Sequence, residues 1–227
     1  MRLPKEEGKM SEFNVKEETG NSFPATLEVD YPDRKLNWLT SFFRLFTVIP
    51  IAIILGLLAN GTIRWGTPSE GWSIVITTGG MIFLPLVLMI LFRQKYPKWW
   101  FDWNLNFSRF SYRVMSYLLL LRDEYPSTDE EQAVHLNLVY PDAKKELNRY
   151  LPLIKWLLAL PHWILLAFLS FFGIFVWLLA WFSIIFTGRY PKGLFDYMVG
   201  LLRWSFRVQA YAFLLITDKY PPFSMAA

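Results

Sequence analysis

Asp196, Gly200, Arg203 and Arg207 stand at offsets 0, 4, 7 and 11 in the stretch GRYPKGLFDYMVGLLRWSFRV. On a helix they fall within roughly 60° of one another, a straight polar stripe on an aromatic and aliphatic surface. Asp102, Asn106, Arg109 and Arg113 repeat the spacing in QKYPKWWFDWNLNFSRFSYRV. An Asp in the first turn suits the positive end of the helix dipole, and Pro97 and Pro191 just ahead are helix-start signals. Two arginines a turn apart make an anion-facing stripe, with Arg189 and Lys192 adding charge before the second helix. Laid flat at a membrane surface, such a helix turns its arginines to phosphates and water and its aromatics to the acyl region. Trp99, Trp100, Tyr96 and Tyr190 are the expected interfacial anchors. A plainer reading is that the arginines only hold the helix at the headgroups.

Other chemistry is scarce. The chain has 227 residues, 54% hydrophobic and 19% aromatic, with no cysteine and two histidines, His135 and His162. Thiol nucleophiles, disulfides and iron–sulfur ligation are excluded, and two scattered histidines do not make a histidine-based metal site. No metal and no cofactor is expected. Catalysis at a membrane calls for His, Cys or clustered carboxylates on apolar helices. The apolar segments carry none but His162, a packing or interfacial residue, so no enzyme and no catalytic residue is expected. A net charge of +4 is too mild for a nucleic-acid binder. The first 35 residues are charged and lack the apolar core of a signal peptide.

The stripes belong to a longer internal repeat. Tyr31-Pro32-Asp33 matches Tyr140-Pro141-Asp142, Asn37 matches Asn148, Arg44 matches Lys155, and Pro50 matches Pro161. Farther on, Tyr96-Pro97, Phe101-Asp102, Arg109, Arg113 and Tyr117 match Tyr190-Pro191, Phe195-Asp196, Arg203, Arg207 and Tyr211. Each copy closes on Tyr-Pro, at Tyr125 and Tyr220. With TGRYPKGLFDYMVGLLRWSFRVQAYAFLLITDKYPPF, this pattern resembles the bacterial membrane family catalogued as domain of unknown function 4389. Copy two resembles it closely. Copy one is looser, with Gln94-Lys95 for Gly188-Arg189 and Trp99 for Gly193. The resemblance implies a bacterial integral membrane protein, often duplicated, with no established activity.

The expected fold is an all-α integral membrane protein with a small β element. Each repeat would hold a short strand, a two-helix membrane hairpin and an amphipathic interfacial helix. The units are a flexible charged tail (1–23), repeat 1 (24–126), a linker (127–132), repeat 2 (133–223) and a C-terminal tail (224–227). Period-two alternation predicts strands over Thr26–Tyr31 and Val134–Tyr140, pairing with each other or with a neighbouring subunit. Helices follow over Leu36–Leu58 and Leu147–Leu169, kinked at Pro50 and Pro161, with Arg44 and Lys155 snorkelling back to the interface. A second apolar segment covers Trp72–Phe92 in one copy. In the other it covers Ile174–Thr187, after a tight turn near Ser170–Gly173.

If the stripe helices lie flat, Arg64 is the only cation on the far side, and the positive-inside rule puts the N-terminus in the cytoplasm of a multi-pass protein of the bacterial inner membrane. The function expected is a non-catalytic module binding anionic lipid headgroups, or a partner membrane protein or its own copies. The alternative is an oligomeric anion channel or transporter whose path the stripes line.

Overall fold

The computed structural model describes residues 23–32, 35–59, 62–65, 74–77, 85–128, 130 and 132–226. The expected flexible tail (residues 1–23) lies outside the described residues save Phe23, as do Asp33 and most of the loop from Asn60 to Gly71. The chain is mostly helical. Its elements are β1 (Ala25–Val29), α1 (Trp38–Thr47), α2 (Ile49–Ala59), β2 (Thr62–Trp65), β3 (Ile74–Thr77), α3 (Lys98–Leu118), β4 (Val134–Leu138), α4 (Lys155–Leu158), α5 (Leu160–Thr187) and α6 (Lys192–Ala212).

The two alternating segments pair with each other as β1 and β4, antiparallel, with Leu27 opposite Leu136 at the centre. Ala25, Leu27 and Val29 are buried while Thr26 and Glu28 are exposed, so the period-two pattern selects one covered face. Main-chain bonds from Asp30 N to Ala133 O and from Val139 N to Pro24 O bracket the ladder, each 3.0 Å. Alternation from those ends makes Leu27 and Leu136 a non-hydrogen-bonded pair, so their carbonyls point away from the partner strand. His135 is exposed on the polar face, its Nε2 3.2 Å from Asp30 Oδ2.

The long helices are interrupted near the prolines at which the sequence predicts kinks. The first breaks at Val48, between α1 and α2, and its counterpart breaks at Ala159, between α4 and α5. Each break lies two residues before a proline, Pro50 or Pro161, whose ring lacks an N–H and crowds the carbonyl four residues back. The predicted helix from Leu147 therefore divides into a 3₁₀ turn (Leu151–Leu153), α4 and α5.

The two-helix hairpins are corrected in both halves. No turn forms at Ser170–Gly173: α5 runs unbroken for 28 residues, about 42 Å of helix. Gly173 instead faces α6, where an added Cβ would stand 3.5 Å from Leu201 Cδ2. One glycine in an apolar run costs a helix only about 1 kcal/mol, too little to end it without a second breaker. Gly188 does end it, at φ 68° with its N–H on Ile184 O at 2.8 Å. In the first half, the predicted apolar segment Trp72–Phe92 contains a strand. Its β-branched run Ile74–Thr77 pairs with Thr62–Trp65, and a π-helical turn follows at Met89–Arg93.

Helix α6 packs on β1, α3 on β4, α5 on α6, and α1 on α5. Leu27, Leu136, Phe206 and Leu121 lie in the core this makes. Among the described residues, two helical stretches are long and apolar enough to cross a membrane, Leu39–Gly56 and Leu160–Thr187, and both are largely exposed. Ile164, Phe168, Phe175, Leu179 and Phe186 all face outward from α5.

Candidate functional site

Helices α3 and α6 begin at Lys98 and Lys192, directly after their prolines, so Asp102 and Asp196 lie one turn in rather than in the first turn. Both carboxylates are exposed. The arginines do not form outward-facing stripes. They turn toward the strands and the segments that follow each helix. Arg109 Nε donates to Leu136 O at 3.0 Å and Arg203 Nε donates to Leu27 O at 2.9 Å. Arg113 and Arg207 are buried; Arg113 donates to Ser127 O, and Arg207 to Ser224 O and Ala226 O. Burial, then the neighbouring Arg203, lowers the pKa of Arg207. The expectation missed this because an exposed and a buried arginine stripe have the same spacing. The outward carbonyls of a two-stranded sheet supply the acceptors.

Matched positions make matched contacts elsewhere too. Arg44 is buried, not snorkelling. It bonds Tyr117 O and Arg122 O and pairs with Asp123, with its guanidinium 4.6 Å from the Tyr117 ring centre. Lys155 is fully buried, 2.8 Å from Thr217 O and 2.7 Å from Asp218 Oδ1, and 5.2 Å from the Tyr211 ring centre. The backbone N–H groups of Asn37 and Asn148 donate to Asp123 and Asp218 in turn. A basic residue two turns into one helix and an aspartate just past another, in LLRDEYP and LITDKYP, were the available signal. Neither aspartate was expected to hold a partner.

The proposed tyrosine anchors are also corrected. Tyr96 and Tyr190 are 1% exposed, inside the protein. Tyr96 donates to Leu214 O at 2.7 Å; the hydroxyls of Tyr140 and Tyr31 donate to the carbonyls of Tyr96 and Tyr190. Burial raises the phenol pKa of both. Trp99 remains outward, 70% exposed, and Trp100 is half-buried. Arg189 and Lys192 are exposed ahead of α6.

Two features at the start of α3 meet in a cavity of about 770 Å³. Leu86, Met89, Trp99 and Trp100 give it apolar and aromatic walls, and Arg93, Lys95 and Lys98 bring three cations to its edge. No carboxylate lines it among the described residues. Such a site suits an amphiphile with a negative head and an apolar body. Nor is there, among the described residues, a group of three His, Asp or Glu side chains placed to hold a metal.

Residues 152–225, from the turn before α4 to the segment after α6, match the family described as Domain of unknown function (DUF4389). No curated protein and no solved structure matches the chain.

Proposed function

We propose that the protein is a non-catalytic integral membrane module that binds anionic lipid headgroups; its match over residues 152–225 is to a domain family of unknown function. The observation that carries this reading is the aromatic–basic cavity, where Arg93, Lys95 and Lys98 border walls built by Trp99, Trp100 and Leu86. The largely exposed apolar faces of the Leu39–Gly56 and Leu160–Thr187 helices support residence in a bilayer, since water would leave large apolar patches uncovered. Helices α3 and α6 are not among the stretches apolar enough to span, which supports placing them at the cytoplasmic surface of a multi-pass protein of the bacterial inner membrane, N-terminus inside. The reading includes descent from two tandem repeats. Its support is the matched contacts of Arg44 and Lys155, of Arg109 and Arg203, and of Tyr140 and Tyr31.

The test is lipid enrichment around the purified full chain in nanodiscs of phosphatidylcholine and phosphatidylglycerol, read by native mass spectrometry. The wild type retains phosphatidylglycerol above its bulk fraction. Joint Lys95→Glu and Lys98→Glu substitution removes that excess while the protein still inserts. Equal retention by both proteins would sink the reading.

A further inference from the structure

Arg93, Lys95 and Lys98 are exposed at the edge of the aromatic–basic cavity, and none of them makes a hydrogen bond or ion pair among the described residues. Residues 78–84, which precede the cavity wall at Pro85 in the chain, read TGGMIFL and carry no charge. Resting on the lipid reading above, we propose that this cavity selects lipids with a phosphomonoester head, phosphatidic acid being the simplest, over phosphodiesters such as phosphatidylglycerol.

The hydroxyl donors of the wall are already spent. Tyr140 donates to Tyr96 O, and Tyr96 donates to Leu214 O at 2.7 Å. The side-chain donors that remain are the Arg93 guanidinium, the ammonium groups of Lys95 and Lys98, and the indole N–H groups of Trp99 and Trp100. All of these call for acceptor oxygens, and no carboxylate among the described residues is there to receive an ammonium or a glycerol hydroxyl. A phosphomonoester presents three terminal oxygens and about −1.5 to −2 charge at pH 7, whereas a diester presents two oxygens and a single charge. Three cations at one head therefore favour the monoester, and the guanidinium fork suits two of its oxygens at once. Leu86, Met89 and the two indoles, whose ring centres are 5.4 Å apart, give the adjoining apolar body its place.

The matched place in the second half is a contrast within the same molecule. Tyr96-Pro97-Lys98 aligns with Tyr190-Pro191-Lys192, and the turns before them are alike. Gln94 and Gly188 are both left-handed, at φ 46° and 68°, and their N–H groups donate to Ile90 O and Ile184 O. The same alignment puts Ser183 and Thr187 where Met89 and Arg93 stand, and Gly193 where Trp99 stands. Ser183 and Thr187 donate their hydroxyls to Arg189 O, at 3.2 and 3.4 Å. That turn closes with a threonine in place of the arginine, so ending the helix there does not require a basic residue. Arg93 and Trp99 thus set the first half apart, and both stand at the cavity.

The test places the full chain in phosphatidylcholine nanodiscs holding equal small fractions of phosphatidic acid, phosphatidylglycerol and phosphatidylmethanol, a diester without the glycerol hydroxyls. Retained lipids are counted by native mass spectrometry. Phosphatidic acid should be retained roughly threefold above phosphatidylglycerol, the scale of one added charge at exposed cations. Phosphatidylmethanol should match phosphatidylglycerol, because the head's hydroxyls are not read. Arg93→Gln changes an exposed side chain and should bring the ratio of phosphatidic acid to phosphatidylglycerol close to one, with phosphatidylglycerol still enriched. Three results would overturn this inference and leave the lipid reading standing: enriched phosphatidylglycerol with no preference for phosphatidic acid, a preference that Arg93→Gln leaves intact, or phosphatidylglycerol retained well above phosphatidylmethanol. Enrichment of no anionic lipid would overturn both.

Discussion

Arg109 and Arg203 donate from their Nε atoms to the carbonyls of Leu136 and Leu27, two residues that face each other across the strand pair. A two-stranded sheet has two edges, and its non-hydrogen-bonded pairs turn their carbonyls outward. The stripe helices supply the missing donors. Their arginines therefore fasten α3 to β4 and α6 to β1 before they serve any ligand. Arg203→Met should leave Leu27 O without its partner and cost about 1–3 kcal/mol. Arg203→Lys should recover only part, because an ammonium lacks the fixed fork. Thermal unfolding of the three proteins in one detergent checks this; a Met variant as stable as wild type would refute the fastening role.

The Lys155–Asp218 pair predicts a pH-dependent defect. Burial lowers the pKa of Lys155, and the hydrogen bond and charge of Asp218 oppose that shift. Asp218→Asn removes the opposing charge from a lysine with no exposure, and breaking such a pair costs about 3–5 kcal/mol. The sign with pH follows from proton counts. A native lysine with a depressed pKa releases its proton before the unfolded chain does, near pH 10.4. Over that interval the unfolded state holds more protons, so stability rises with pH. Asp218→Asn should thus recover part of its stability deficit as pH rises toward the unfolded lysine's value, while Lys155→Met with Asp218→Asn shows no such recovery. A deficit constant across that range would contradict the buried charged lysine.

These two relationships divide what the sequence reveals from what it hides. The strand pairing was legible because Thr26–Tyr31 and Val134–Tyr140 alternate and neither could be stable alone. Helix breaks near Pro50 and Pro161 were legible from the ring. The unbroken course of α5 was not, since an apolar run with one glycine fits either a long helix or two short ones. Nor was the inward turn of the arginines. Spacing sets which residues share a helix face, but the acceptors that decide its direction belong to β1 and β4, far along the chain. The cavity at Lys98 drew on residues already singled out as anchors.

Gly200 predicts a local change in the segment after α6. A Cβ built there would stand 2.7 Å from Met225 Cβ and 3.1 Å from Met225 O. Alanine suits a helix interior better than glycine by up to about 1 kcal/mol, so the helix itself should tolerate the change. Gly200→Ala should therefore release residues 224–226 and the acceptors they give Arg203 and Arg207, without unfolding α6. Hydrogen exchange read over both regions separates the two effects. Faster exchange at Met225 with an unchanged α6 is expected; equal exchange at both would mean the contact is relieved by other movements.

Alkaline pH should destabilise the protein through its buried phenols. Burial raises the pKa of Tyr96, Tyr112 and Tyr190 above the usual value near 10. Above that value the unfolded chain loses protons that the native chain keeps, so stability falls by about 1.4 kcal/mol per pH unit for each such group. Lys155 acts oppositely, but its contribution is complete once the unfolded lysine has also lost its proton. Tyr112 offers the cleanest test because its hydroxyl makes one side-chain bond, to Gln209 Oε1 at 3.1 Å. Tyr112→Phe should cost about 1 kcal/mol near neutral pH and make the alkaline decline shallower by roughly one group's share. Denaturant midpoints measured across the alkaline range, with phenolate absorbance followed alongside, give both quantities. An alkaline slope that the substitution leaves unchanged would mean that Tyr112 ionises without unfolding, against the burial that raises its pKa.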